Sequence, residues 1–317
     1  MQILKPTHNN IIYAAQKLLS GELVAFPTET VYGLGARADI NAAVHKIYSI
    51  KERPKFNPLI IHVSNVSEAK KLIIFNKNAE KFANKFWPGP LTLVGKKKKN
   101  NLVSDLCCAQ LETLAVRVSP NKILQKLLSL TKKPIAAPSA NKFGKISTTT
   151  AKDVLKELGS RIELIIDGGH TNVGLESTIV DISNNIPIVL RKGAISLDLI
   201  NKTVEKIKIS EKINENNNIK APGMLKQHYS PNTPLRLCAK NPRPGEAWLD
   251  FGPLPNNLEC PALTLSKEKN ITEAAYNLYS MLRLLDECGS KKIAVKTIPK
   301  TGLGETINDR LERAAYK

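Results

Sequence analysis

The chain lacks any run of the ~20 uninterrupted apolar residues that a bilayer-spanning helix requires, so a membrane protein is excluded. Its opening residues, Met1 to His8, lack the apolar core of a secretion signal, which leads us to expect a cytoplasmic protein. Cysteine is scarce and odd in number: there are five, Cys107 and Cys108 are adjacent, and no Cys-x-x-Cys pair occurs. Neither a disulfide framework nor a zinc knuckle follows from that pattern, and the five histidines also lack metal-ligand spacing. Aromatic residues make up only 5% of the chain and do not cluster, so the stacking stripe that holds unpaired bases is missing. Two nucleotide signatures are absent as well. No Gly-x-x-x-x-Gly-Lys-Ser/Thr loop occurs, no Gly-x-Gly-x-x-Gly follows a strand, and the Gly33-Leu34-Gly35 pair is too short for either. A nucleotide bound here must be held by side chains.

Positive charge, in contrast, is plentiful. The 317 residues carry 47 Lys+Arg against 28 Asp+Glu, a net charge of +19. Residues 233–317 hold 13 basic and 10 acidic residues, so residues 1–232 carry +16 of the total. Such a balance favours anionic partners, nucleotides or RNA. A plainer account is a compositional bias, because Lys, Asn and Ile are abundant throughout. The Lys96 to Lys99 run reads as a solvated loop after a strand.

The hydrophobic fraction of 42% supports a packed core, and the length suits one large domain plus a smaller one. Helical periodicity predicts a helix over 9–20 with Ile11, Ile12, Ala15, Leu18 and Leu19 on its apolar stripe. Further helices are predicted over 42–50, 79–86, 123–130 and 151–158, interleaved with short apolar strands at 23–26, 59–63, 91–93, 114–118, 135–136, 164–167, 179–181 and 188–191. Interleaving without repeats predicts a mixed α/β domain with an open twisted sheet and flanking helices over residues 1–207. Residues 208–232 open on a polar, weakly periodic stretch and read as a linker. Residues 233–317 read as a small α/β domain, with strands near 235–238, 247–250 and 292–295, a helix over 271–285 and a closing helix from Thr306.

Candidate chemistry gathers at predicted strand ends, where open α/β sheets bind ligands. Lys51 and Arg53 leave a helix together and could clamp a triphosphate. Ala137-Pro138-Ser139-Ala140-Asn141 follows a buried strand, with Ser147 to Thr150 just beyond. Their hydroxyls and amide suit phosphate or ribose, although Thr150 also suits a helix N-cap. Arg117 lies inside an apolar strand and needs an anionic partner, either a substrate carboxylate or an internal acid. His62, similarly placed, reads on its own as a core histidine. Arg191 ends another strand.

Taken in order, Pro27-Thr28-Glu29-Thr30-Val31-Tyr32-Gly33-Leu34, Lys51-Glu52-Arg53-Pro54 with Asn57-Pro58-Leu59, Pro138-Ser139-Ala140-Asn141, Ser177-Thr178-Ile179-Val180-Asp181 and Arg191-Lys192-Gly193-Ala194 resemble the YrdC-type family. Ala221-Pro222-Gly223-Met224, His228-Tyr229-Ser230-Pro231, Gly302-Leu303-Gly304 and Asn308-Asp309-Arg310-Leu311 resemble its long two-domain threonylcarbamoyl-AMP synthases. The resemblance covers nearly the whole chain. It implies a YrdC-like sheet with a Rossmann-like C-terminal domain, and a reaction of L-threonine, bicarbonate and ATP giving L-threonylcarbamoyl-AMP and pyrophosphate, the first step of a tRNA modification. Thr30, His62, Arg117, Ala137 and Ser177 would then hold threonine. Arg53, Asn57, Thr113, Ser139, Ser147 and Arg191 would hold ATP, with Lys51 and Asn141 near the phosphates and Tyr229 covering the nucleotide. Lys51 and Arg53 would be the catalytic pair. Mg²⁺ is implied with ATP, held largely by phosphate oxygens and water, with no side-chain ligand assigned, and threonylcarbamoyl-transfer proteins are implied downstream.

Two other readings compete. One is a double-stranded RNA-binding module of the same fold, for which the charge would suffice. The other is the carbamoyl-transfer protein of hydrogenase maturation, whose zinc-finger cysteines and extra domains are missing here. The linker and second domain are expected to gate the site.

Overall fold

The computed structural model describes residues 1–210 and 219–316. The part of the expected linker at 211–218 lies outside the described residues. Among the described residues the large unit is built on an eleven-stranded mixed sheet. Across it run Gln2–Leu4, Leu164–Ile166, Val24–Pro27, Tyr32–Arg37, Ile135–Ala136, Ile60–His62, Thr113–Arg117, Leu91–Lys96, Thr178–Asp181, Ile188–Arg191 and Lys208–Ile209.

Alternation along each strand sends side chains to two cores. On the Val24–Pro27 strand, Val24 and Phe26 face helices His8–Leu19 and Lys122–Thr131, joined by Ile11, Leu18, Leu124 and Leu128. Ala25 faces the other way, into the larger core with Leu34, Ile47, Ile61, Phe82 and Leu93. Ile195, Leu197, Ile200 and Val204 join that larger core, so the chain just past Arg191 still packs with the large unit. The first helix buries Ile11, Ala14, Ala15 and Leu18, while Ile12 is half-buried and Leu19 is 41% exposed, a narrower stripe than expected. The helix Ala151–Leu158 starts with Thr150 as N-cap in a capping box with Asp153.

Two expectations are corrected. Tyr32–Arg37 is a full strand, antiparallel to Val24–Pro27, where only a strand end and a glycine pair were expected. Lys208–Ile209, assigned to the linker, adds a short parallel strand beside Ile188–Val189.

The small unit is a four-stranded parallel sheet in the order Leu235–Ala239, Lys292–Lys296, Glu246–Asp250, Ala262–Thr264. Helices Ile271–Asp286 and Leu303–Ala315 pack over one face of it through Leu278, Leu282, Ile307 and Leu311. That core does not end at the domain boundary, because Val31, Ile146 and Leu175 of the large unit and Tyr229 belong to the same buried cluster. Polar contacts frame it: Arg283 pairs with Glu157 at 2.8 Å and also donates to the Ile146 carbonyl, and Lys192 pairs with Glu305 at 2.7 Å. No helix among the described residues is long and apolar enough to cross a membrane.

Gly174 lies where the units touch. Its φ is +78°, and a Cβ there would sit 2.6 Å from the Tyr276 carbonyl oxygen. Gly174→Ala combines backbone strain with overpacking against main chain that cannot yield, so we expect a loss of ~1–3 kcal/mol. Urea denaturation checks this, and an unchanged midpoint would refute the close docking.

Candidate active site

One cleft collects most of the candidate residues. Thr30, Arg53, His62, Arg117, Ala137, Ser139, Ser147, Ser177, Arg191 and Tyr229 all line it. Lys51, Asn57 and Asn141 stand directly behind that lining, bonded to the Ser139 carbonyl, to Arg53 and to Lys51 respectively. Thr113 is not brought there. It opens its strand opposite Lys96, at the other end from Arg117, ~13 Å away at the usual strand rise.

One half of the cleft is organised by Glu29. Parallel pairing places His62 beside Arg117. The turn at Thr28–Val31 is fixed by the Thr28 hydroxyl, which donates to the Val31 carbonyl (2.7 Å) and accepts from the Thr30 and Val31 amides (3.1 and 3.2 Å). Glu29 thereby meets Arg117: Arg117 Nη2 donates to Glu29 Oε1 at 2.5 Å and to Thr30 Oγ1 at 3.0 Å, and Ser119 Oγ donates to Glu29 Oε2 at 2.5 Å. The internal acid is thus the partner of Arg117. Part of the guanidinium stays free, since Arg117 Nε and His62 Nδ1 are buried without a partner among the described residues. Buried groups of this kind ordinarily find a partner, so His62 is not a satisfied core histidine. Burial, reinforced by Arg117, pushes its imidazole down to about 3, which keeps it neutral at pH 7.

The other half holds three buried cations: Lys51 (1% exposed), Arg53 (7%) and Arg191 (6%). Among the described residues their hydrogen-bond partners are all neutral. Lys51 Nζ donates to the Ser139 carbonyl at 2.7 Å and to the Asn141 carbonyl. Arg53 donates to Asn57 Oδ1 (2.6 Å) and to the Asn57 and Pro58 carbonyls (3.0 and 2.8 Å). Arg191 donates to Ser177 Oγ (3.1 Å) and to the Ser177 and Pro222 carbonyls (2.9 and 3.2 Å). Burial pushes the Lys51 ammonium well below its ordinary range, with Arg53 adding to the effect, and brings Arg53 down to about 10. Cations left so short of counter-charge call for an anion in the cleft. Asn141 Oδ1, a further buried acceptor, has no partner among the described residues.

Tyr229 closes this half from the linker. It is fully buried with φ +64°, its ring centroid lies 4.1 Å from that of His228, and its hydroxyl has no partner among the described residues. The sequence reading gave no role to Glu29, Ser119 or Glu176. An acidic residue beside each strand-end motif was the available signal.

Acid should loosen this arrangement. His62 and His228 are both held near 3, His228 by burial and by Arg53, Lys51 and Arg310, which outweigh Glu176. From pH 6.5 down to about 3 the unfolded chain therefore binds protons that the folded chain refuses, and stability falls by up to ~1.4 kcal/mol per pH unit for each histidine. Urea midpoints at pH 7 and pH 5 should show the drop, and His62→Gln should lessen it. An equal drop in the variant would refute the assignment.

Comparison with known proteins agrees with the geometry. Residues 16–193 match the family model described as "Telomere recombination", that of the Sua5, YciO and YrdC proteins, and residues 195–316 match "Threonylcarbamoyl-AMP synthase, C-terminal domain". A Pyrococcus abyssi protein named threonylcarbamoyl-AMP synthase is 37% identical over 318 residues, covering 95% of this chain and 93% of that protein. A Bacillus subtilis protein of the same name is 36% identical over 321 residues, covering 96% and 92%. The crystal structure of P. abyssi Sua5 complexed with L-threonine superposes with a TM-score of 0.91 at 35% identity, over 99% of this chain and 98% of that one. With one model matching more than half of the chain and the other nearly all the rest, the chain belongs to the Sua5/YciO/YrdC family, in its two-domain threonylcarbamoyl-AMP synthase form.

Proposed function

We propose that the cleft joins L-threonine, bicarbonate and ATP into L-threonylcarbamoyl-AMP, releasing pyrophosphate and water, the first step of threonylcarbamoyladenosine formation in tRNA. The chain is a threonylcarbamoyl-AMP synthase, a nucleotidyltransferase, and an RNA-binding module is the less favoured reading. The observation that carries the site assignment is a half-free Arg117 beside neutral His62, sharing one cleft with Arg53 and Arg191 that Lys51 backs, three buried cations whose partners among the described residues are neutral.

In this reading Arg117 takes the threonine carboxylate, with Thr30, His62, Ala137 and Ser177 around the rest of the amino acid. Arg53, Asn57, Ser139, Ser147 and Arg191 hold ATP, and Tyr229 covers it, with Thr113 outside this group. The threonine amine attacks the carbon of carbon dioxide and loses a proton to give a carbamate, the carbon dioxide having formed from bicarbonate by loss of water; if bicarbonate is attacked directly, its C–OH bond breaks and that oxygen leaves as water. A carbamate oxygen then attacks the α-phosphorus, and the bond to the β,γ-pyrophosphate breaks. No side-chain nucleophile enters this scheme. Lys51 and Arg53 act by position and charge, offsetting the negative charge that grows on the leaving pyrophosphate.

Mg²⁺ would accompany ATP. Glu176 in the cleft lining and Glu29 behind Arg117 are engaged by Arg310 and Arg117, and Asn141 Oδ1 is a buried oxygen without a partner among the described residues, next to Lys51. That donor set fits an ion held by phosphate oxygens and water, with Asn141 as its protein contact. Bound there, the ion would supply charge neutralisation on the triphosphate. Cytoplasmic localisation, transfer proteins that accept the product, and weak salt-sensitive RNA contact through the basic surface complete the proposal.

Mass spectrometry of the product from ATP, threonine and labelled bicarbonate tests the reaction, and pyrophosphate release that ignores threonine would sink it. Lys51→Met tests the charge role. The side chain is buried and of similar volume, so the variant should melt at about the wild-type temperature while kcat falls by ~10²–10³. Unimpaired turnover would remove Lys51 from the mechanism.

A further inference from the structure

The half of the cleft that holds the three cations is braced from the second domain. Glu176 immediately precedes Ser177 and lines the cleft. Ser147 Oγ donates to its Oε1 at 2.5 Å, and the Tyr279 hydroxyl lies 2.8 Å from both carboxylate oxygens. Arg310 Nε donates to Oε2 at 2.8 Å. Tyr279 and Arg310 belong to helices Ile271–Asp286 and Leu303–Ala315 of the small domain.

Arg310 is 1% exposed and does more than neutralise Glu176. Its Nη2 donates to the Lys192 carbonyl at 2.7 Å, directly after Arg191. Its Nη1 pairs with Asp309 Oδ2 at 2.5 Å, and its guanidinium carbon lies 4.7 Å from the centre of the Tyr229 ring. One planar fork therefore touches the anchors of Ser147, Arg191 and Tyr229 together. The same helix donates from Thr306 Oγ1 to the Gly193 carbonyl at 2.9 Å. Gly193 is pressed so closely on the strand end that a Cβ there would sit 2.3 Å from the Ser177 carbonyl carbon. Burial would raise the Glu176 carboxyl, but Arg310 and then Arg191 outweigh it and hold the group at about 2, so it stays ionised. The threonine half has its own carboxylate, Glu29, whose partners Arg117 and Ser119 both lie in the large unit.

We infer that Arg310, acting through Glu176 with Tyr279, is a positioning residue for the nucleotide half of the active site alone, so that the second domain sets ATP recognition while threonine recognition is set within the first. This rests on the assignment of Ser147, Arg191 and Tyr229 to ATP given above.

The test is steady-state kinetics of the full-length protein, varying ATP at saturating threonine and bicarbonate and threonine at saturating ATP. Arg310→Met should raise KM for ATP by about tenfold or more while KM for threonine changes less than about twofold. Arg310→Lys, which restores the charge without the fork, should recover part of that loss. Tyr279→Phe removes a single hydroxyl and should give the same one-sided shift in smaller measure, which keeps the test decisive if Arg310→Met does not fold. Trp248→Phe serves as the stability control. Trp248 packs with Ala239 and Ala294, apart from the cluster that meets the large unit, and donates to Asp250 at 2.7 Å. It should lower the melting temperature and leave both KM values in place. Equal rises in both KM values, or an ATP KM unchanged in Tyr279→Phe and in the folded Arg310 variants, would overturn the inference. Wild-type protein that releases pyrophosphate only with threonine while those variants behave in this way would leave the reaction standing and sink the bracing role alone.

Discussion

Lys51, Arg53 and Arg191 are buried together with no carboxylate bonded to any of them among the described residues. Taking an ion out of water costs several kcal/mol even after relaxation, so a fold tolerates this only by supplying dense neutral acceptors or by expecting an anion. Here the acceptors are mostly backbone carbonyls: Ser139 and Asn141 for Lys51, Asn57 and Pro58 for Arg53, Ser177 and Pro222 for Arg191. Each carbonyl lies outside the regular elements, on a segment that leaves one, enters one or belongs to the linker, so the local backbone is shaped by the cation it carries. A polyanion entering the cleft would relieve a penalty that folding has already incurred, and its binding would stabilise the native state by mass action.

The same logic explains why the two halves of the cleft are built differently. Arg117 has its counter-charge in Glu29 and keeps only part of its guanidinium free, which suits a ligand carrying a single carboxylate. The three-cation half has no such internal balance, and its one carboxylate, Glu176, is tied to Arg310 from the other domain. Had Glu176 been free it would have neutralised Arg191 and repelled a phosphate. Drawing it onto Arg310 keeps the nearby field positive, which is an electrostatic reason for a second domain in a site whose side chains otherwise come from the first and from the linker.

The sequence carried the interleaved order of the large unit because helices such as Ala151–Leu158 and strands such as Ile135–Ala136 announce themselves by period and by capping residues. Tyr32–Arg37 escaped because its two glycines read as punctuation, whereas Gly35 is required by the Phe26 ring, which a Cβ would approach to 2.3 Å. Lys208–Ile209 escaped because a two-residue edge strand with both side chains exposed leaves no hydrophobic trace. Most of the site was legible, through motifs whose order matched a family, while strand-end placement alone made each residue only a candidate. What could not be read were the pairings across long sequence separations. Glu29 with Arg117 and Glu176 with Arg310 are created by topology, and no local pattern encodes them. Arg310 did leave one mark, since it interrupts the apolar stripe of Ile307, Leu311 and Ala314 on a helix that is otherwise conventionally amphipathic.

That interrupted stripe bears on how the two domains can move. An interface of rim charges would leave the small domain free to swing, the default for a modest polar contact. The observed one is a continuous apolar cluster running from Val31 and Leu175 to Leu278 and Ile307, with a buried ion pair at its edge. Separating the domains would expose that cluster and strand Glu176 and Arg310 in a half-opened crevice, and Tyr229 is tied into the same cluster, its ring against those of His228 and Tyr279 and facing the Arg310 guanidinium, with the Ser230 amide bonded to the Gly144 carbonyl. The small domain is thereby joined to the large unit through the same residues that wall the three-cation half of the cleft.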